Sequence, residues 1–340
     1  MKITEKIHFV DLTLRDGMHA VSHQFSAEQM AMLAGYIDTI GFESFEFGHG
    51  NGLGATSIQY GFAKSTDEEY LAHVSAAVKK TKMCIVIIPG IGTKHELQIA
   101  KQSGVKIARI ATQITENDIG EQHIRMARDM GFETRNLLPH AAPISVEDTV
   151  KYAELSASFG SQVVYVLDGG GSMLPEEVYE RVARVREAVS KYGAAVGFHG
   201  HNNLSLAVAN TLEAIRGGAT YIDTCIKGFG AGAGNCAIEP LVAILEKMGH
   251  TTGIDLYKAM DLGDQYLKPL MPRPMELEND HIMLGYAGVF SSFVLFARRA
   301  AERYGVDVRD IIAEVGRRGC TEGQEDICIE VAYILSQQKK

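Results

Sequence analysis

The sequence predicts an α/β fold, a TIM (β/α)8 barrel followed by a small C-terminal all-helical domain. Short apolar or β-branched runs alternate with amphipathic stretches of helical period, which is the pattern of βα units around a parallel sheet. Eight such runs precede Gly249, and a chain of 340 residues can hold a barrel of roughly 250 residues and an appendage. No GxGxxG loop follows the first run, unlike many doubly wound sheets. We expect the barrel at residues 1–274 and the helical domain at residues 275–340.

The eight candidate strands are mostly apolar or β-branched, as strands buried on both faces of a parallel barrel must be. They span residues 7–14, 44–48, 83–90, 106–112, 134–140, 163–169, 195–201 and 220–226. Stretches of helical period lie between them, at 26–38, 67–80, 116–130, 146–159, 175–192 and 205–216, and many end at Gly. After Gly249 the strand-like runs stop, so the remainder is expected to be helical.

Composition and charge argue against several classes of protein. The chain is 46% hydrophobic and 22% charged, as expected for a globular protein with a sizeable core. A net charge of −9, without a dense run of Lys or Arg, makes nucleic acid an improbable partner. The apolar stretch 282–297 is shorter than the ~20 residues that span a bilayer, so we expect no membrane partner and a helix buried against other protein.

The N-terminus and the cysteines indicate a cytoplasmic protein. The segment from Met1 to Asp16 carries charges where a secretory signal would need an apolar core. The five cysteines have no CxxC spacing, and Cys84 and Cys225 lie inside apolar runs. We therefore expect buried thiols in a reducing compartment.

Polar clusters follow the first and seventh candidate strands, at the end of a barrel where active sites lie. The seventh ends in His199-Gly200-His201, and residues two apart on a strand point to the same face, so both imidazoles can bind one ion. A carboxylate is the usual further ligand for Mn²⁺ or Mg²⁺. Asp16 is the best-placed carboxylate, because inward residues from strands of the same parity share a layer. We predict a divalent metal on Asp16, His199 and His201.

Each of these residues also has a simpler interpretation. A His-x-His pair can be a hydrogen-bonded polar pair, and Asp16 alone would more often be a helix N-cap. Arg15 suits an anionic substrate or developing negative charge, with a structural ion pair as the alternative. His19 could be a general base, although a loop histidine is more often a solvated surface residue. The glycine-rich run 228–235 could bind an anion or form a turn beside the metal.

Seven motifs along the chain together indicate a known family. They are TLRDGMH (13–19), FEFGHGNGLG (45–54), IIPGIGT (87–93), VGFHGHNNL (196–204), GFGAGAGN (228–235), LGYAGVFSSF (284–293) and GQEDI (323–327). The chain resembles the 4-hydroxy-2-oxovalerate aldolases, within a metallolyase superfamily that includes isopropylmalate synthase and hydroxymethylglutaryl-CoA lyase. The resemblance runs nearly end to end, and GHGNGLG, GYAGV and GQED are specific to the aldolase branch.

The resemblance implies a class II metal-dependent aldolase of aromatic hydrocarbon catabolism. It places Mn²⁺, with Mg²⁺ or Co²⁺ as alternatives, on Asp16, His199 and His201. It makes Arg15 the residue that stabilises the pyruvate enolate and His19 the catalytic base. The implied reaction is retro-aldol cleavage of 4-hydroxy-2-oxopentanoate, or a related 4-hydroxy-2-oxo acid, to pyruvate and acetaldehyde or another aldehyde. Polarisation of the keto group by the metal replaces a Schiff-base lysine.

Two positions depart from the family pattern at the expected substrate site. Gly169 stands where a serine is common, and Ser172 could supply the missing hydroxyl. Phe290 stands where the family has a tyrosine, and Tyr286, one helical turn earlier, could supply that hydroxyl. With Arg15, Asp16 and His199, these four residues are the expected substrate contacts. The two changes could mark a paralogue with a different aldehyde half.

Two other functions stay open at this point. An acyl-CoA condensing enzyme of the isopropylmalate synthase type shares the RDG and HGH motifs, but it usually has an acid and an amide where Met18 and His19 stand. A non-catalytic scaffold would gain nothing from a complete metal and base set. The resemblance also implies a complex with an acylating acetaldehyde dehydrogenase that takes up the aldehyde by channelling. We expect the tail from Met275 to cover the active-site mouth and contact that partner, with packing on its own barrel or a homodimer as the alternative.

Overall fold

Eight parallel strands close into one barrel in the computed structural model, which describes residues 5–338. They pair in chain order, and β8 returns to β1. The predicted (β/α)8 barrel is confirmed, and each predicted strand overlaps an observed one. The first four residues of the predicted barrel domain, 1–4, and the last two of the predicted helical domain, 339–340, lie outside the described residues. The strands are β1 (His8–Leu14), β2 (Ser44–Phe47), β3 (Lys82–Ile87), β4 (Ile107–Ala111), β5 (Glu133–Leu138), β6 (Val163–Asp168), β7 (Ala195–Gly200) and β8 (Tyr221–Thr224).

Helices follow the strands and continue into the C-terminal region. Several begin at capping side chains, such as Ser26, Thr66 and Thr93, each of which accepts a hydrogen bond from the first turn. The stretch 116–130, predicted as one helix, is a 3₁₀ segment, Ile114–Ile119, followed by an α-helix. The α-helices are α1 (Gly17–Ala20), α2 (Ala27–Ile37), α3 (Asp67–Ala77), α4 (Lys94–Gln102), α5 (Gly120–Asp129), α6 (Val146–Ser158), α7 (Pro175–Ser190), α8 (Ala207–Gly217), α9 (Ile238–Lys247), α10 (Leu256–Asp261), α11 (Asn279–Ala287), α12 (Phe293–Tyr304), α13 (Val308–Arg317) and α14 (Ile327–Gln338).

The C-terminal helices have a hydrophobic core of their own. Helices α11 to α14 bury Leu284, Phe293, Ile311 and Val331 against one another, apart from the core between the barrel and its surrounding helices. Because this second core is separate, the C-terminal region packs as a helical unit of its own. We refer to α11–α14 and the turns between them as the helical unit.

The apolar stretch 282–297, expected as one helix, is divided in two. Helix α11 ends at Ala287, and Gly288 ends it in the left-handed conformation with φ +68°. Helix α12 begins only at Phe293. Phe290 therefore lies in the intervening turn, and the expectation that it follows Tyr286 by one turn of the same helix was wrong. No helix in residues 5–338 has the length and apolar character needed to span a membrane. All five cysteines are buried free thiols, as predicted.

One layer of the barrel interior is charged. Glu46, Arg109, Tyr165 and Asp223 come from the even-numbered strands and are almost completely buried. Arg109 Nη1 lies 2.7 Å from Glu46 Oε1, and its Nη2 lies 2.7 Å from Asp223 Oδ2. The Arg109 guanidinium carbon lies 4.0 Å from the centre of the Tyr165 ring. A layer of four side chains from alternate strands is the regular packing of a TIM barrel, and here it is ionic.

Candidate metal and substrate site

Asp16, His199 and His201 come together at the C-terminal end of the barrel. All three are buried, and one potential ligand atom from each lies within 4.8 Å of the others. The two Nε2 atoms of the histidines are 3.2 Å apart. The structure thus brings together the three residues that the sequence indicated as metal ligands.

The Nδ1 atoms of the two histidines determine what their Nε2 atoms can do. His199 Nδ1 lies 3.2 Å from Asp223 Oδ2, and His201 Nδ1 lies 3.3 Å from the Ala231 carbonyl oxygen. A carboxylate and a carbonyl oxygen only accept hydrogen bonds, so each Nδ1 must carry the proton and each Nε2 presents a lone pair. Burial lowers the pKa of His201 to about 3, which keeps that ring neutral. Two lone pairs that face each other at this distance fit a bound cation.

Asp16 is held as a carboxylate by hydrogen-bond donors on both oxygens. Oδ1 accepts from Arg15 Nη1 at 2.8 Å, and Oδ2 accepts from the Ala231 N–H at 3.0 Å and from Asn235 Nδ2 at 2.8 Å. Its side chain makes no cap hydrogen bond to α1, so the N-cap interpretation does not apply. Burial opposes ionisation, but Arg15 and the neighbouring histidines together outweigh it and hold the pKa of Asp16 well below its ordinary value. A metal ligand needs this deprotonated form.

Asn235 is a site residue that the sequence interpretation did not single out. Its Nδ2 donates to Asp16, while its buried Oδ1 has no hydrogen-bond partner among residues 5–338. Asn235 also pairs with His201 in an isolated backbone bridge, so its side chain lies beside two of the three metal residues. A side chain at Gly230 would approach Asn235 Nδ2 to 2.5 Å and Asp16 Oδ2 to 2.6 Å, so the glycine-rich run makes room for the pair.

A buried chain of ion pairs connects Arg15 to His199. Arg15 Nε lies 2.7 Å from Glu46 Oε2, and Glu46, Arg109 and Asp223 continue the chain to His199 Nδ1. Burial would lower the pKa of Arg15, but the carboxylates of Glu46 and Asp16 raise it above its ordinary value. Arg15 is therefore a permanent cation, and it lines the same cavity as the three metal residues, which we call the metal cavity. Glu46, Arg109 and Asp223 each stand inside a mostly apolar strand, which is a usable sequence signal because a buried charged side chain needs a partner inside the barrel.

His19 lies on α1 between two cavities. It lines the cavity at the metal residues and also a cavity of about 450 Å³ on its other side. Burial lowers its pKa, so the ring is neutral and able to accept a proton. Two further histidines support it: the His23 ring packs edge-on to His19 at 5.2 Å and is stacked on His49 at 3.8 Å. His19 is therefore not a solvated surface residue.

The structure brings Phe290 to the metal cavity, with Gly169 against its ring, but it does not bring Ser172 or Tyr286 there. Phe290 lines the cavity, and its ring centre lies 6.4 Å from that of His201. A Cβ at Gly169 would lie 2.2 Å from Phe290 Cε2, so the phenyl ring fills the space that a serine side chain would need. Ser172 instead lies against Asp168, to which its N–H donates at 2.8 Å. Tyr286 is 80% exposed, because the turn at Gly288 separates its helix from Phe290.

Comparison with known proteins agrees with this geometry. Residues 6–265 match the HMGL-like family, and residues 275–337 match the DmpG-like communication domain. The chain is 59% identical over 335 residues to a 4-hydroxy-2-oxovalerate aldolase of Desulfitobacterium hafniense, covering 98% of this chain and 100% of the relative. It is 48% identical over 338 residues to that of Carboxydothermus hydrogenoformans, covering 99% and 100%. The chain belongs to the 4-hydroxy-2-oxovalerate aldolase family. The predicted family and the predicted lyase class are confirmed by these relatives.

Solved structures share the fold of this family member at low sequence identity. The carboxyl transferase domain from Rhizobium etli pyruvate carboxylase superposes with a TM-score of 0.84 at 15% identity, covering 99% of this chain and 61% of that chain. The HMG-CoA lyase from Brucella melitensis superposes with a TM-score of 0.67 at 16% identity, covering 79% of this chain and 100% of that chain. At such identities the likeness concerns the fold alone.

The helical unit of this aldolase-family chain covers the metal cavity with more than Phe290. Glu322, in the turn between α13 and α14, lines the cavity and accepts a hydrogen bond from Asn51 Nδ2 at 3.3 Å. Gln113 Nε2 donates to the Glu322 carbonyl oxygen at 3.4 Å, which fixes the turn to the loop after β4. Burial and the nearby carboxylate of Glu325 raise the pKa of Glu322 to about 7. Sequence reasoning did not single out Glu322, because no pattern near it indicates that it meets residues of the barrel.

Proposed function

We propose that the protein cleaves 4-hydroxy-2-oxopentanoate, or a 4-hydroxy-2-oxo acid with another aldehyde half, to pyruvate and an aldehyde by a metal-dependent retro-aldol reaction. The observation that carries the proposal is the convergence of the Asp16 carboxylate and two imidazole lone pairs beside the Arg15 guanidinium and the neutral ring of His19. Relatives that carry this activity in their names, at up to 59% identity, support the same reaction.

The proposed cofactor is Mn²⁺, with Mg²⁺ or Co²⁺ as alternatives, held by Asp16, His199 and His201. Two imidazoles and a carboxylate suit Mn²⁺. When bound, the ion supplies Lewis-acid polarisation of the 2-keto group. Asp223 and the Ala231 carbonyl oxygen fix the tautomers of the two imidazoles, so both Nε2 atoms are oriented to bind the ion.

The chain's own residues perform the proton and charge chemistry. His19 accepts the proton of the 4-hydroxyl group as the C3–C4 bond breaks, and the bonding electrons pass to the pyruvate half as an enolate. Arg15, held as a cation by Glu46 and Asp16, stabilises the negative charge that develops there. Return of this proton from His19 to C3 of the enolate then gives pyruvate and restores the neutral base. Phe290 and Glu322 cover the cavity, which limits the access of water to the enolate.

The residues after the RDG motif argue against the acyl-CoA condensing alternative. That branch usually has an acid and an amide where Met18 and His19 stand. The metal cavity itself, about 50 Å³ and covered by Phe290, Ser292 and Glu322, is suited to a small group.

The test is release of pyruvate by the purified protein after metal removal and reloading with Mn²⁺, Mg²⁺ or Co²⁺. A panel of 4-hydroxy-2-oxo acids of increasing chain length serves as substrate. Wild-type turnover that is lost in His19→Ala but kept in His73→Ala, a replacement of an exposed histidine, supports the proposal and rejects a non-catalytic scaffold. Absence of pyruvate with every substrate and metal refutes it, and thiol release from acetyl-CoA with a keto acid would favour the condensing enzyme.

The proposed partner is an acylating acetaldehyde dehydrogenase that receives the aldehyde by channelling. The match of residues 275–337 to a communication domain supports a partner, and Ile329 and Tyr333 of α14 are 46% and 53% exposed. Co-elution after co-expression is expected, with Tyr333→Glu weakening the complex and Tyr257→Glu, in α10 of the barrel, leaving it intact. Independent elution, with acetaldehyde trapped freely from solution, would contradict channelling. A cytoplasmic location belongs to the same proposal, supported by the five free thiols.

A further inference from the structure

A second cavity adjoins the metal cavity above β3, β4 and β5. The two cavities share Ile88, Ala111, Pro139 and Glu322, so Glu322 lies at the boundary between them. The second cavity has a volume of about 150 Å³ and opens beside Gly323 of the helical unit. This space is large enough for a substituent of a few atoms.

The topology of the barrel determines which end of a substrate meets this cavity. The metal residues and Arg15 follow β1 and β7, on one side of the barrel, and would hold the keto acid end. The opposite wall is formed by Val86 and Leu137 of β3 and β5. A substrate anchored at β1 and β7 therefore directs its aldehyde half toward β3–β5, past Glu322.

The lining of the second cavity is mixed: part of it is apolar, formed by Ile88, Pro89, Ala111, Ile119 and Pro139, and its charged side chains are acidic. Tyr60, Thr112 and Gln113 contribute neutral polar groups, while Glu116 and Glu322 contribute carboxyl groups. Its lining, taken from the described residues, contains no lysine, arginine or histidine. A carboxyl group hydrogen-bonds a hydroxyl in either protonation state, as an acceptor when ionised and as a donor when protonated. A carboxylate substituent would instead add a charge without a cationic partner.

We propose that the second cavity binds the substituent of the aldehyde half and that Glu322 is the specificity-determining residue, which favours a hydroxyl substituent over an alkyl one and rejects a carboxylate. The proposal rests on the proposed aldolase function. Glu322 is suited to this role because Asn51 holds its side chain and Gln113 holds its backbone. Its orientation is therefore set before the substrate binds, which strengthens discrimination.

The experiment compares substrates that differ by one group, at pH 8. 4,5-Dihydroxy-2-oxopentanoate and 4-hydroxy-2-oxohexanoate differ by a hydroxyl in place of a methyl, and 4,6-dihydroxy-2-oxohexanoate and 4-hydroxy-2-oxoheptanoate repeat the pair one carbon further out. 4-Hydroxy-2-oxoglutarate carries the carboxylate. The ratio of kcat/KM for hydroxyl over methyl should fall about tenfold in Glu322→Leu, which corresponds to the loss of one hydrogen bond to a charged group. Glu322→Gln should keep most of that ratio, and its kcat/KM for the carboxylate substrate should rise about tenfold.

Glu116→Gln is the matched control, because Glu116 lines the second cavity but not the metal cavity. Glu116→Gln should alter the hydroxyl-over-methyl ratio of kcat/KM only for the longer pair of substrates, 4,6-dihydroxy-2-oxohexanoate and 4-hydroxy-2-oxoheptanoate. Equal loss on hydroxyl and methyl substrates in Glu322→Leu, in a protein with wild-type thermal stability, overturns the proposal, as does an unchanged carboxylate rate in Glu322→Gln. If the wild type releases pyruvate from none of these acids, the proposed function fails, which is a result distinct from equal effects on active substrates.

Discussion

Asp223 links the metal site to the charged layer of the barrel, and Asp223→Asn should weaken metal binding without displacing a ligand. Oδ2 of Asp223 lies 3.2 Å from His199 Nδ1 and 2.7 Å from Arg109 Nη2, and Oδ1 accepts from Arg109 Nη1 at 3.1 Å. An amide keeps the shape of the carboxylate but supplies one uncharged acceptor atom in place of two. With its NH2 group toward His199, that ring loses its acceptor; with the NH2 group toward Arg109 Nη1, His199 keeps an acceptor without a charge and Arg109 loses one of its two hydrogen bonds.

The magnitude follows from the partner and the charge that are lost. Arg15 and Arg109 carry two positive charges and Asp16, Glu46 and Asp223 carry three negative ones, a sum of −1 that becomes 0 in the variant. Loss of a partner behind a metal-binding histidine typically weakens metal affinity 10–100-fold, or about 1.4–2.8 kcal/mol. Breaking a buried ion pair costs about 3–5 kcal/mol of folding free energy. Because the amide keeps one acceptor, we expect the loss of folding free energy to lie near the lower end of that range.

Titration calorimetry of the metal-stripped protein with Mn²⁺ measures the affinity, and urea unfolding measures the stability. Asp11→Asn is the matched control, because Asp11 is buried on β1 and accepts hydrogen bonds from Thr13 instead of from a metal residue. It should leave the Mn²⁺ affinity unchanged. An affinity within twofold of wild type for Asp223→Asn, or an equal loss for both variants, would refute the reasoning.

Three further results are expected. His19→Ala should lower kcat about 10²–10⁴-fold, the usual contribution of a general base; a large loss of Mn²⁺ affinity in titration would instead make His19 a ligand. Gly169→Ala should lower kcat/KM roughly tenfold, because the methyl would lie 2.2 Å from Phe290, and Phe290→Leu should recover part of it; an additive double-mutant cycle would contradict this contact. His23, with φ +62°, tolerates asparagine. Burial lowers its pKa to about 2, so its unfolded form takes up a proton below pH 6.5 while the folded form does not. Urea unfolding should therefore show wild type losing about 1.4 kcal/mol per pH unit relative to His23→Asn between pH 6 and 4, and parallel profiles would count against the buried neutral ring.

The barrel and the metal ligands were predictable because their determinants are local. A parallel barrel strand is a short apolar run, and the runs recur with helical stretches between them. His199 and His201 share a face because of their spacing, and Asp16 joins them because β1 and β7 have the same parity. The N-cap alternative for Asp16 could be removed only by its observed partners.

The remaining site residues depend on contacts between distant parts of the chain. Asn235 meets Asp16 across 219 residues, and Glu322 meets Asn51 across 271 residues. No periodicity indicates such pairs. The position of Tyr286 has a local determinant, because Gly288 is a typical helix end. A left-handed glycine there redirects the chain before Phe290.

The helical unit supplies Phe290 and Glu322 to the metal cavity from two different turns. Ser291 anchors the first turn to the barrel: its N–H and Oγ both donate to the Gly169 carbonyl oxygen, at 3.1 and 3.0 Å, and Asn203 Nδ2 donates to Oγ at 2.9 Å. The position of the phenyl ring therefore depends on the loops that follow β6 and β7, where His201 also lies. Because α11–α14 share one core, a displacement of the helical unit would move Phe290 and Glu322 together. In the proposed aldolase, one packed element would therefore both close the metal cavity and select the aldehyde half, and the same element would carry the surface for the proposed partner.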